Sequence, residues 1–189
     1  DAVVSDNLAG AFIATNHLIA QGHHRIAIFG SQPQAFPSIA ERRAGYLKAM
    51  TEAGLAPCFW DCALWPDAAA KAAPAYLAAH PQITAVFACN DAVAITLLRV
   101  AQEQHRLIPS DLSVIGFDNI EFAQHTNPPL STMRVDKTGM GRLAAQLLLN
   151  RIEFPATAPV RALIHPQMIP RQSVAACPEK AMRLAVPKL

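Results

Sequence analysis

Three short apolar runs that stop abruptly at polar residues constrain this chain more than any other feature. They are RIAIFGS over 25–31, VFACND over 86–91 and SVIGFDN over 113–119. Uninterrupted β-branched and apolar runs of this length suit strands buried on both faces, as in parallel sheets covered by helices. Open α/β sheets bind ligands outside the carboxyl ends of their strands. Asp or Asn at a strand end is also a common helix cap or turn residue. Three such ends in one chain favour a ligand cleft.

Helical patterns separate the runs. Leu8, Ala11, Phe12, Thr15, Leu18 and Ile19 recur at helical spacing after Asn7, and Gly22 stops them. Ser38-Ile39-Ala40-Glu41 fits a capping box opening a helix that Gly54 ends. The segment 55–66 predicts a short strand and a turn. Asp67 opens an Ala-rich helix to about His80, which Pro74 should kink or shorten because it lacks a donor. Further helices are predicted over 91–106 and 136–152. Extended pieces are expected at 131–135 and near 160–169, with a loose tail beyond Cys177. Regular alternation implies a mostly parallel, doubly wound α/β sheet.

Composition narrows the class. The 189 residues are 52% hydrophobic, so a substantial core is available. A formal net charge of +2, with no basic block, leaves no electrostatic footprint for nucleic acid. No apolar run is long enough to span a bilayer, and the N-terminus has no signal-peptide form. Cys58 and Cys62 have a C-x3-C spacing without a second ligand pair, and Cys89 lies inside an apolar strand. Reduced thiols of a cytoplasmic protein, with no metal site and no cofactor, are the expectation. No dinucleotide fingerprint, P-loop or nucleophile elbow is present, which argues against an enzyme.

The ordered motifs SDNLAG (5–10), HLIAQGHHRIAIFG (17–30), ERRAGYLKAM (41–50), ITAVFACNDAVA (83–94), IPSDLSVIGFDNIEFAQHTNPPLSTMRVD (108–136), Gly141 and IPRQS (169–173) resemble the effector-binding domain of LacI/GalR-family transcription regulators. The resemblance implies a two-lobed, periplasmic-binding-protein-like type I fold that closes on a small molecule. It implies that the N-terminal lobe is incomplete and that a helix-turn-helix DNA-binding domain is absent from this chain. On this reading 1–22 and 135–157 are a remnant of the N-terminal lobe, 23–134 and 158–175 form the C-terminal lobe, and 176–189 is a tail.

The same resemblance and the residue chemistry nominate the ligand-binding side chains. Asp118 matches the family's strand-end acid and can accept two hydroxyl hydrogen bonds; its alternative is a turn residue before Asn119. Arg42 matches an arginine that reaches the ligand with paired donors, whereas Arg43 reads as a solvated helix residue. Asn90 is a strand-end polar contact that could equally cap the next helix. Trp65 lies where members place an aromatic wall, although Trp60 is a competing assignment and core packing an alternative to both. Ser31, Ser38 and Asp6, with Asn7, are weaker lining candidates. Val135 stands where some sugar-responsive members have a hydrogen-bonding side chain.

The expected function is therefore a sensor. A sugar or sugar derivative would bind in an inter-lobe cleft and control DNA binding by the absent domain. The alternative is a solute-binding protein of a sugar transporter. The resemblance also implies a homodimer, with the 91–106 helix at its interface unless Leu97 and Leu98 face the sheet.

Overall fold

The computed structural model describes residues 1–177. Along the chain the elements are β1 (Ala2–Ser5), α1 (Asn7–Ala20), β2 (Ile26–Phe29), α2 (Pro37–Glu52), β3 (Cys58–Trp60), α3 (Pro66–Ala79) and β4 (Ala85–Ala88). They continue with α4 (Asp91–Glu103), β5 (Ser113–Asp118), β6 (Ser131–Arg134), α5 (Lys137–Glu153), β7 (Arg161–Ile164) and β8 (Gln167–Ile169). A six-stranded sheet runs in the order β3-β2-β4-β5-β6-β8. Its strands are parallel except for β8, which pairs antiparallel with β6 at the edge.

Alternation along the strands explains why the runs are apolar throughout. Ile26, Ile28, Ala85, Phe87, Ile115 and Phe117 point to the face covered by α1 and α2. Ala27, Phe29, Val86, Ala88 and Val114 point to the face covered by α3 and α4. Both faces are dry, so the hydrophobic effect selects apolar residues at successive positions. The sheet is thus doubly wound, as the sequence predicts. Leu97 and Leu98 of α4 are buried against it, which removes them from any interface.

Several local expectations change. No strand is foreseen at the N-terminus, yet β1 pairs in parallel with β7 to form a separate two-stranded sheet. The single extended segment near 160–169 is two strands serving different sheets, divided at His165-Pro166. Helix α2 begins at Pro37 after Phe36, so Ser38 lies inside it and makes no capping box. Helix α3 is not shortened at Pro74. Burial of Ala69, Ala73 and Leu77 on one side holds it to the sheet past the proline.

The expected lobe division also meets a different packing. Helix α1, expected with the smaller lobe, packs along α2 and buries Ala11, Ala14 and Leu18 in the core of the large sheet. β7, expected with the larger lobe, pairs with β1 instead. Helix α5 borders β1 and has no buried residue, so Leu148, Leu149 and Ile152 are exposed. From residue 178 the expected tail lies outside the described residues.

The α1–α2 contact depends on a glycine. A Cβ at Gly45 would overlap the Leu8 carbonyl oxygen and press on the Ala11 methyl. At Gly54 (φ +66) nothing lies within 4 Å, and only left-handed strain opposes a side chain. Gly45→Ala is therefore expected to lower the unfolding free energy by about 3 kcal/mol, against about 1 kcal/mol for Gly54→Ala, as read from urea denaturation. Equal losses would contradict this account of the contact.

Candidate functional site

The carboxyl ends of β2, β4 and β5 lie side by side, and the side chains beyond them form one polar edge. Arg42 is its hub. Ile39, Arg42, Tyr46 and Met50 are all buried in α2, and this helical spacing turns the arginine inward with them. Its guanidinium lies 3.8 Å from the Phe117 ring centroid. Arg42 Nε donates to Asn7 Oδ1 at 3.0 Å, Nη1 to the Cys89 carbonyl at 2.5 Å, and Nη2 to Asp118 Oδ1 at 3.1 Å. One charge thereby ties α1, β4 and β5 to α2. Three of its five N–H donors serve these partners, which leaves donor capacity for a ligand.

Asp118 ends β5 with φ +104, and Asn119 follows with φ +46. Burial is the main influence on the Asp118 carboxyl and raises it above the ordinary carboxylate range; Arg42 and Lys137 oppose that shift. Its side chain remains 29% exposed, so the carboxylate can accept from outside while paired with Arg42. Asn90 caps α4, its Oδ1 accepting from the Val93 amide at 2.8 Å. The cap uses the oxygen and leaves the side-chain amide as a donor.

The other nominated residues separate. Asp6 caps α1 through the Ala9 amide at 2.9 Å and lies 3.3 Å from His165. Asn7 is buried, donates to Glu41 at 2.9 Å and orients Arg42. Ser31 is fully buried and hydrogen-bonds Asp61 at 3.2 Å, so it supports the wall instead of lining the cleft. Ser38 is half-buried within α2. The two tryptophans are distinct: Trp60 is buried and stacks on Tyr76 at 5.5 Å, whereas Trp65 is 64% exposed. Trp65, Phe36, Leu64, Gln32 and Gln34 line a recess of about 380 Å³ beyond β2 and β3. On the opposite side, Asn119, Arg134, Val135, Lys137 and Gln167 line a polar recess of about 520 Å³.

Three contributors escape the sequence reading. Arg43 is no free surface arginine: it pairs with Asp61 at 2.6 Å, donates to the Ser31 carbonyl and lies over the Phe59 ring. Asp61 directly follows the apolar run CFW, the same run-then-acid signal that marks Asp118. Arg171 donates to Asn119 Oδ1 at 2.8 Å and to the Leu130 carbonyl at 2.6 Å. Asp91, read as a helix-start acid, is buried and accepts from Thr132 Oγ1 at 2.5 Å and the Ile120 amide at 2.8 Å.

Burial raises Asp91 from the ordinary 3.8 to about 6, against hydrogen bonds from Thr132 and Ile120 that favour the charge. Asp118 raises it further and Arg171 lowers it. The folded protein thus holds this proton more tightly than the unfolded chain. The resulting contribution to stability is complete below about pH 4 and is lost as pH rises through about 6. The unfolding free energy of the protein minus that of Asp91→Asn should fall by about 3 kcal/mol across that window and then level. Urea denaturation over a pH series checks both the sign and the window.

Comparison with known proteins identifies the family of the domain. A family model described as a periplasmic binding protein-like domain matches residues 15–174. The chain is 33% identical over 181 residues to the HTH-type transcriptional repressor PurR of Vibrio atlanticus, covering 92% of this chain and 53% of that protein. It is 34% identical over 174 residues to the HTH-type transcriptional regulator CelR of Thermobifida fusca, covering 89% and 50%. It spans about half the length of these curated relatives. Among solved structures, a CelR–cellobiose complex superimposes with a TM-score of 0.82 at 34% identity, covering 90% of this chain and 53% of that one. A LacI family regulator from Enterococcus faecium with bound ribose gives 0.86 at 28% identity, covering 93% and 66%. The chain belongs to the periplasmic binding protein-like domain family, in the form carried by LacI-type transcriptional regulators.

Proposed function

We propose that this chain is the effector-binding domain of a LacI-type transcriptional regulator, and that its effector is a sugar or sugar derivative. The observation that carries the proposal is the Arg42–Asp118 pair at the carboxyl edge of the sheet. A half-buried acid backed by an arginine offers acceptors and donors together, which suits vicinal hydroxyls better than a flat nucleobase. Asn90 adds an amide donor beside them. Solved neighbours holding ribose and cellobiose support the sugar reading. The PurR relatives make a purine the competing ligand.

Trp65 and Phe36 supply the apolar surface on which the face of a sugar ring stacks.

On this reading β1, α5 and β7 belong to the N-terminal lobe of the intact regulator, and the six-stranded sheet with α1–α4 is its C-terminal lobe. The regulator would be a cytoplasmic homodimer, and its DNA contacts would come from a helix-turn-helix domain. Among the described residues no helix is long and apolar enough to cross a membrane. The named relatives are regulators, which favours this reading over a transporter's binding protein. A sensor is preferred to an enzyme because the site's polar groups are bound into the fold: Arg42 bridges three elements and Asn90 caps a helix.

Calorimetric titration of the intact regulator with ribose, cellobiose and hypoxanthine is the test. Heat from a sugar and none from hypoxanthine is expected, and the reverse would overturn the sugar assignment. Trp65→Ala should weaken cellobiose binding about tenfold and leave the far-ultraviolet circular dichroism unchanged, since its ring is mostly outside the core.

A further inference from the structure

Asp118 and Asn119 adopt positive φ in succession, a conformation costly for any residue with a side chain and tolerated best by Asp and Asn. Such a turn persists only where its surroundings hold it. Beneath it, Asp91 Oδ2 accepts from the Ile120 amide at 2.8 Å, and Asp91 Oδ1 accepts from Thr132 Oγ1 at 2.5 Å. Thr132 Oγ1 in turn takes a long contact of 3.4 Å from the Asn119 amide. The two amides that follow Asp118 are therefore held by one buried acid and one buried hydroxyl.

Space for this arrangement is built into the sheet. A Cβ at Gly116 would overlap Asp91 Oδ1, so the carboxylate occupies room that only glycine leaves. Arg171 holds the other side of the turn through Asn119 Oδ1 and the Leu130 carbonyl. Neither Asp91 nor Thr132 faces the cleft, since their exposures are 1% and 0%.

We propose that Asp91 and Thr132 are positioning residues for effector binding: a hydrogen-bonded clamp from the start of α4 to β6 that holds the turn after β5 so that Asp118 meets the ligand. This rests on the assignment of Asp118 to the effector site. The competing role is purely local, with Asp91 serving only the positive end of the α4 dipole. The two differ at Thr132, whose hydroxyl matters to the clamp and not to the dipole.

The test compares Thr132→Val, which keeps the volume and loses the hydroxyl, with Thr132→Ser, which keeps the hydroxyl, in the intact protein. Thr132→Val should weaken ribose and cellobiose binding at least tenfold, and Thr132→Ser should retain affinity within about twofold. Hydrogen exchange of the 117–123 segment, read by mass spectrometry without sugar, should quicken at least tenfold in Thr132→Val and stay unchanged in Thr132→Ser. Where Thr132→Val does not fold, Thr132→Ala is measured in its place. Unchanged exchange and unchanged affinity in the hydroxyl-free variant would overturn the clamp. If neither sugar binds the unaltered protein, the sugar assignment fails on its own, and the exchange measurement still decides whether the turn is held this way.

Discussion

A buried guanidinium cannot remain unpaired, and this requirement at Arg42 organises the edge of the sheet. Leaving a charge in a low-dielectric interior without partners is far costlier than any single hydrogen bond is favourable. The fold meets the requirement with the Asn7 amide oxygen, the Cys89 carbonyl, the Asp118 carboxylate and the face of Phe117. The partners come from α1, the end of β4 and β5, so satisfying one side chain fixes the mutual positions of these elements and α2. The burial that demands these partners also raises Asp118, which makes its carboxylate sensitive to whatever next approaches it.

A second, partly buried charge network lies one strand further out. Arg43, the neighbour of Arg42 on α2, points the other way and joins Asp61, Ser31 and the Phe59 ring at the ends of β2 and β3. Consecutive helical residues diverge by about 100°, so one turn of α2 anchors both halves of the edge. Hydrogen bonds and ion pairs thus tie the edge together from Asp61 to Asp118. The exposed aromatic pair Phe36 and Trp65 occupies its outer flank.

The sequence made the strands legible because burial on both faces leaves unbroken apolar runs, and it made Asp118 legible because an acid closes such a run. Arg42 emerged only through its resemblance to a family arginine, since helical spacing alone does not say which of two adjacent arginines turns inward. Asp61 also closes an apolar run, CFW, but a three-residue strand is too short to stand out. β1 was invisible for a similar reason: four residues acquire strand character only from pairing with β7, which is remote in the chain. The packing of α1 on the large sheet was also hidden, because an apolar helical face does not name the surface that covers it. Asp91 and Thr132 are tertiary partners forty-one residues apart in sequence, and no local pattern links them.

On the proposed reading, the acid at the end of β5 holds the effector. Calorimetric titration of cellobiose into the intact protein and into its Asp118→Ala variant tests it most directly. Arg42 keeps Asn7 and Cys89 as partners in that variant, so the fold should survive with its near-ultraviolet spectrum unchanged. Loss of two hydrogen bonds to a charged acceptor predicts an affinity lower by about a hundredfold. Equal affinity in the two proteins, with the fold intact, would contradict the account.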